Sequence, residues 1–153
     1  MEMHYNLANG TQTGQSTLKL QFAKGPVKEA SMLQLIGSAF SVPPRAMNFT
    51  PANYPKSASL PATGKIWGVL PRMHQRGRKF RYGLQAGGST QLLIDINSWQ
   101  YTWQEMFMFA QPIQANRGDR VRISCTWDNE LDKRWCGAKA PRKRCASASP
   151  TSP

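Results

Sequence analysis

Ile66-Trp67-Gly68-Val69-Leu70-Pro71-Arg72-Met73-His74-Gln75-Arg76-Gly77-Arg78-Lys79-Phe80-Arg81 passes from an apolar run to a basic one, and its reading decides the fold. Residues 66–70 are apolar and partly β-branched and stop at Pro71, the pattern of a buried strand that ends where proline removes a backbone donor. His74 then sits just past a strand end, where a rigid sheet carries its loops and where binding and catalytic groups concentrate. A histidine in that place suits a metal ligand, and it equally suits a surface histidine among arginines.

Outward from this stretch the chain keeps the same rhythm. Residues 17–22, Thr-Leu-Lys-Leu-Gln-Phe, alternate as a strand does, and residues 30–42 read as a strand because Gly37 and Pro43-Pro44 would break a helix early. Prolines 43, 44, 51, 55 and 61 punctuate the next segment. Further strands are expected over residues 80–84, 91–96 and 120–127, with turns at Ala86-Gly87-Gly88-Ser89 and Asn116-Arg117-Gly118-Asp119. Trp99, Tyr101, Trp103, Phe107 and Phe109 fall at alternate positions and are expected to pack between sheets, with Asp95 and Gln104 at a strand surface or bonded to a loop. Short strands, turn signals about every 8 to 12 residues and no long amphipathic helix predict an all-β antiparallel sandwich or jelly roll.

Composition narrows the function classes. Hydrophobic residues make up 40% of 153, with five Trp, six Phe and four Tyr, enough for a globular domain with a core. No apolar run approaches the ~20 residues of a membrane helix, and the N-terminus lacks the basic-then-apolar layout of a signal peptide. The net charge of +12 would ordinarily point to nucleic acid or another anionic partner. Its distribution weakens that reading. Residues 1–132 carry fourteen basic and eight acidic side chains, whereas residues 133–153 carry six basic and none acidic. Arg76, Arg78, Lys79 and Arg81 form a second cluster, but Arg78 and Lys79 point to opposite sides of an extended chain, as a solvated face requires. Cys125, Cys136 and Cys145 are odd in number and lack zinc-like spacing.

Pro71-Arg72-Met73-His74-Gln75-Arg76-Gly77, then Trp103-Gln104, then Gly118-Asp119 ahead of Cys125-Thr126-Trp127-Asp128-Asn129 resembles the copper type II, ascorbate-dependent monooxygenases, the family of peptidylglycine hydroxylase and dopamine β-monooxygenase, in its bacterial form. The resemblance spans residues 1–129 in order and spacing. It implies an oxidoreductase with two copper ions on two jelly-roll domains, one passing electrons and the other activating oxygen, that hydroxylates a C–H bond of a small-molecule or peptide substrate using ascorbate. It also implies an extracytoplasmic or secreted parent; from the residues themselves, no membrane span and no specific nucleic-acid partner are expected. On this alignment residues 1–22 are a remnant of the first copper domain, residues 23–132 are the second jelly roll, incomplete at its C-terminal strand, and residues 133–153 are a tail without a core. The alternative is a basic β-sandwich that binds nucleic acid or another anionic partner.

The family's His-x-His pair falls on Arg72 and His74, so one imidazole is replaced by a guanidinium that stays cationic and repels a metal. The histidine of the family's Gln-x-His-Tyr strand, a ligand of the first copper, falls on His4, with its partner histidines expected upstream of Met1. Cys125 corresponds to a family cysteine that pairs with the cysteine of a Trp-Gly-Glu-Gly-Thr-x-x-Glu-Met-Cys motif, whose methionine is the third ligand of the oxygen-site copper. That motif is missing after Asn129. It reappears when residues 135–153 are back-translated with chosen synonymous codons and read from the third base of each codon, the first fourteen triplets giving Val-Trp-Gly-Glu-Gly-Thr-Glu-Glu-Glu-Met-Cys-Val-Gly-Val. The basic tail is therefore expected to be a frameshifted translation of a Glu-rich strand, and the chain to be a fragment with both copper sites incomplete.

Overall fold

The computed structural model describes residues 10, 13–37 and 39–137; His4 and Cys145 lie outside them. The chain divides into two units, Met1–Leu33 and Gln34–Pro153. In the first unit the described residues form no strand, and Leu18, Leu20 and Phe22 are exposed. The strand expected over residues 17–22 is thus absent: alternation alone does not make a strand when no neighbouring backbone supplies the ladder hydrogen bonds.

The second unit is all-β and sandwich-like, with no helix among the described residues. Its strands are β1 (Ser41–Val42), β2 (Lys56–Ser59), β3 (Gly64–Val69), β4 (Gly77–Ala86), β5 (Ser89–Ile96), β6 (Phe107–Ala115), β7 (Arg120–Trp127) and β8 (Trp135–Cys136). Every pairing is antiparallel: a four-stranded sheet in the order β2-β7-β4-β5, and the two-stranded pairs β3-β6 and β1-β8. Of the strand expected over residues 30–42, only β1 forms.

The core follows from period-2 patterning. In β7, Val121, Ile123, Cys125 and Trp127 are buried, and the residues between them point outward. Phe80, Tyr82 and Leu84 of β4 stand opposite Cys125, Ile123 and Val121, so the two strands share one buried face. Ile66 and Val69 of β3, with Phe107, Phe109 and Ile113 of β6, pack against that face from the second sheet. Burial of this kind stabilises by roughly 25 cal/mol per Å² of apolar surface removed from water.

β3 is the strand that the opening stretch announced, but it is not fully buried. Trp67 and Leu70 are each 51% exposed, because β3 pairs only with β6 among the described residues and lies in the smaller sheet. The aromatic run is corrected in the same way. Trp99 is buried at 6% exposure, Trp103 is 69% exposed, and β6 starts only at Phe107.

An aromatic cluster closes one end of the sandwich. The Phe40 and Trp127 rings lie 4.3 Å apart, Tyr54 meets Trp127 at 5.1 Å, and Trp135 reaches Phe40 at 5.7 Å. The Tyr54 hydroxyl donates to the Gly37 carbonyl at 2.7 Å. A side chain at position 37 would collide with the Tyr54 ring and hydroxyl, so glycine is required there. Residues 133–137, expected to belong to the tail, are instead tied to this end. Gly137 N–H donates to the Phe40 carbonyl at 3.0 Å, and Asn129 Nδ2 donates to the Lys133 carbonyl at 2.9 Å.

Candidate functional site

The loop from β3 to β4 is pinned from below. Pro71 and Met73 are buried, while Arg72 and His74 are exposed, so the loop keeps a strand-like alternation in which Arg72 and His74 share the outward side. Gly77 N–H donates to the His74 carbonyl at 2.8 Å, and Trp99 N–H donates to the Arg78 carbonyl at 2.9 Å. A Cβ on Gly77 would sit 2.8 Å from Met73 Cβ and 2.9 Å from Trp99 Cδ1, so glycine lets the loop close onto the buried methionine and tryptophan. These contacts fix where His74 stands.

His74 lines an open cleft of about 370 Å³ with Gln75, Arg76, Tyr101, Trp135 and Cys136. The juxtaposition of His74 with β8 joins residues far apart in sequence, and it depends on the β1-β8 pair, in which Val42 faces Trp135 and Ser41 faces Cys136. Asp128 supports the opposite side of the loop. Its N–H donates to the Arg76 carbonyl at 3.0 Å, and its carboxylate lies 3.5 Å from Arg78 and accepts from Asn48 N–H at 2.7 Å.

The residues present do not fit a copper ion. His74 is the only histidine among the described residues, and no group of three or more His, Cys, Asp or Glu side chains there could hold a metal. Arg76 lines the cleft and Arg72 shares the outward side of His74, so the surroundings are cationic, and one imidazole cannot impose a coordination geometry. The buried Trp99 Nε1 has no partner, but it is a hydrogen-bond donor and cannot ligate a cation. His4, the other candidate ligand, lies outside the described residues.

Cys125 is a free thiol, 3% exposed, on the core face of β7, and not half of a disulfide. Burial pushes its pKa up to about 12, so the thiol stays protonated at neutral pH and is a poor nucleophile. Burial also raises Tyr82, and it raises Tyr54 with a smaller contribution from the neighbouring Cys125. Asp95 and Gln104 have structural partners. Arg81 Nε donates to Asp95 at 3.0 Å, and Gln104 Nε2 donates to the Tyr101 carbonyl at 2.8 Å.

Sequence reasoning missed Asn129 as a structural node. It is fully buried, and its Nδ2 donates to the carbonyls of Pro43 at 2.7 Å, Lys133 at 2.9 Å and Val42 at 3.3 Å. Tyr101 and Trp135 were likewise missed as walls of the His74 cleft; only the pairing of β1 with β8 brings Trp135 there. No known protein-family model matches the chain.

Proposed function

We propose that the chain descends from a copper type II, ascorbate-dependent monooxygenase and that its present form is not catalytically competent. The parent would hydroxylate a C–H bond using O2 and ascorbate. Here the oxygen-site ligand set is reduced to His74, with Arg72 in place of a second imidazole and the methionine of the Glu-Met-Cys motif missing after Asn129. The observation that carries this reading is that Trp135-Cys136 lies across the same cleft as His74. Those are the residues at which the alternative frame restores Val-Trp, the start of the segment that leads into Glu-Met-Cys. The shared outward side of Arg72 and His74 supports the same lineage, since a His-x-His pair needs both imidazoles on one side.

The test is a Cu(II) titration read by electron spin resonance on four chains: the printed chain, Arg72→His, the frame-restored chain, and the combination. The printed chain should bind weakly, with no more than one histidine nitrogen coupled to the metal. Arg72→His alone should tighten binding only modestly, because the thioether is still missing. The combination should gain far more than the two single changes together, since a copper shell completes only when all its donors are present. Tight copper with several imidazole nitrogens in the printed chain, or no synergy in the combination, would overturn the proposal.

A further inference from the structure

The outward face of the four-stranded sheet is chemically one-sided. With Val121, Ile123, Cys125 and Trp127 turned into the core, β7 presents Arg120, Arg122, Ser124 and Thr126 on the other side. The register sets Gln85 beside Arg120, Gly83 beside Arg122, Arg81 beside Ser124 and Lys79 beside Thr126. On the other flank of β7, Ser57 faces Arg122 and Ser59 faces Arg120. Lys79, Arg81, Arg120 and Arg122 thus share a surface whose one carboxylate is Asp95, already joined to Arg81 at 3.0 Å.

These cations are arranged, not merely exposed. Arg120 is held flat by two serines, Nη1 donating to Ser59 Oγ at 3.2 Å and Nη2 to Ser57 Oγ at 2.8 Å. Arg122 and Lys79 enter no ion pair among the described residues. Side chains on one strand repeat about every 7 Å, and neighbouring strands lie about 4.8 Å apart, so the charges form a shallow grid. At one end the grid runs into a cleft of about 310 Å³ between the β4-β5 turn and the 116–119 turn, lined by Gln85, Ser89, Asp119, Arg120 and the glycines of both turns.

We propose that this sheet face and the adjoining cleft bind an acidic polysaccharide. Lys79, Arg81, Arg120 and Arg122 would meet its anionic groups, and Ser57, Ser59 and Gln85 its hydroxyls. A linear polyanion matches a flat surface on which four cations outnumber Asp95, itself joined to Arg81, and which carries many short hydroxyl and amide groups. Nucleic acid fits less well. The face carries no aromatic side chain on which a base could stack, and a broad sheet does not enter a duplex groove as a helix or a two-stranded ribbon does. This inference stands on the four-stranded sheet and its adjoining turns and does not depend on the copper lineage.

The test uses the full chain and a fluorescent, size-defined heparin oligosaccharide as probe, titrated at two salt concentrations. Lys79→Gln/Arg122→Gln should weaken binding about tenfold and flatten its salt dependence, with thermal stability unchanged because neither side chain is in an ion pair among the described residues. Lys24→Gln/Lys28→Gln, which removes the same charge elsewhere, should change affinity less than about twofold. Equal losses in the two pairs would show general charge attraction and overturn the assignment. So would absence of binding, or tighter binding of a single-stranded oligonucleotide of matched charge.

Discussion

Asn129 is the one fully buried polar side chain among the described residues, and it is bonded to three carbonyls from both sides of the β1-β8 pair. Asn129→Ala would leave those carbonyls without their donor inside the structure, a loss of about 3 kcal/mol that denaturant unfolding should register. Cys125 makes a pH-dependent counterpart. Its folded-state pKa of about 12 lies above the ordinary thiol value of 9.0, so its contribution to stability is fully present below pH 9 and is lost as pH rises toward 12. Tyr54 and Tyr82 are raised in the same direction and add to that alkaline loss. Cys125→Ala should therefore flatten the fall of stability between pH 9 and 12, and the wild-type thiol should resist alkylating reagents until the chain unfolds. Fast labelling of the native chain at pH 8 would contradict the buried thiol.

At the scale of elements, β4, β5 and β7 were legible because their patterning is strong and the turns beside them are built from Gly, Asn and Asp. Arg120-Val121-Arg122-Ile123 alternates without ambiguity, and the burial of β7 follows it. Residues 17–22 alternate almost as well and form nothing regular, because a strand needs a partner and local pattern does not supply one. β1 and β8, two residues each, carry no periodic signal at all, yet their pairing builds the His74 cleft. The β3-β6 pair leads to its own prediction. Trp67, Met106 and Met108 are 51%, 47% and 63% exposed, and two strands alone cover little apolar surface. Trp67→Lys with Met108→Lys should reduce concentration-dependent association in sedimentation while changing stability by no more than about 0.5 kcal/mol. Association unaffected by the pair would place the contact surface elsewhere.

For the molecule as a whole, the candidate site was half legible. His74 could be found from its place after an apolar strand, and Arg72 only through the resemblance to a His-x-His pair; their common outward side follows from the buried Met73 between them. The opposite wall of the cleft could not, since Trp135 joins His74 there only through the β1-β8 pair, whose partners Val42 and Trp135 stand 93 positions apart. On the proposed copper lineage, the domain would need the segment after Asn129 for a thioether that completes a copper shell and for a strand that covers an open sheet edge. The printed tail of Lys, Arg, Ala, Ser and Pro suits neither purpose.

The most direct measurement of that claim is the coding nucleotide sequence from Asn129 to the end of the chain. The account predicts a base gained or lost between the codons of Asn129 and Trp135 relative to an intact relative, and an alternative frame that runs without a stop through Val-Trp-Gly-Glu-Gly-Thr and Glu-Met-Cys. The codon of Arg144 must be AGA, its first two bases giving the glutamate before the methionine and its last the methionine itself, and that of Arg142 must be of the AG type for the first glutamate. Any other third base at Arg144 would remove the methionine and contradict the account.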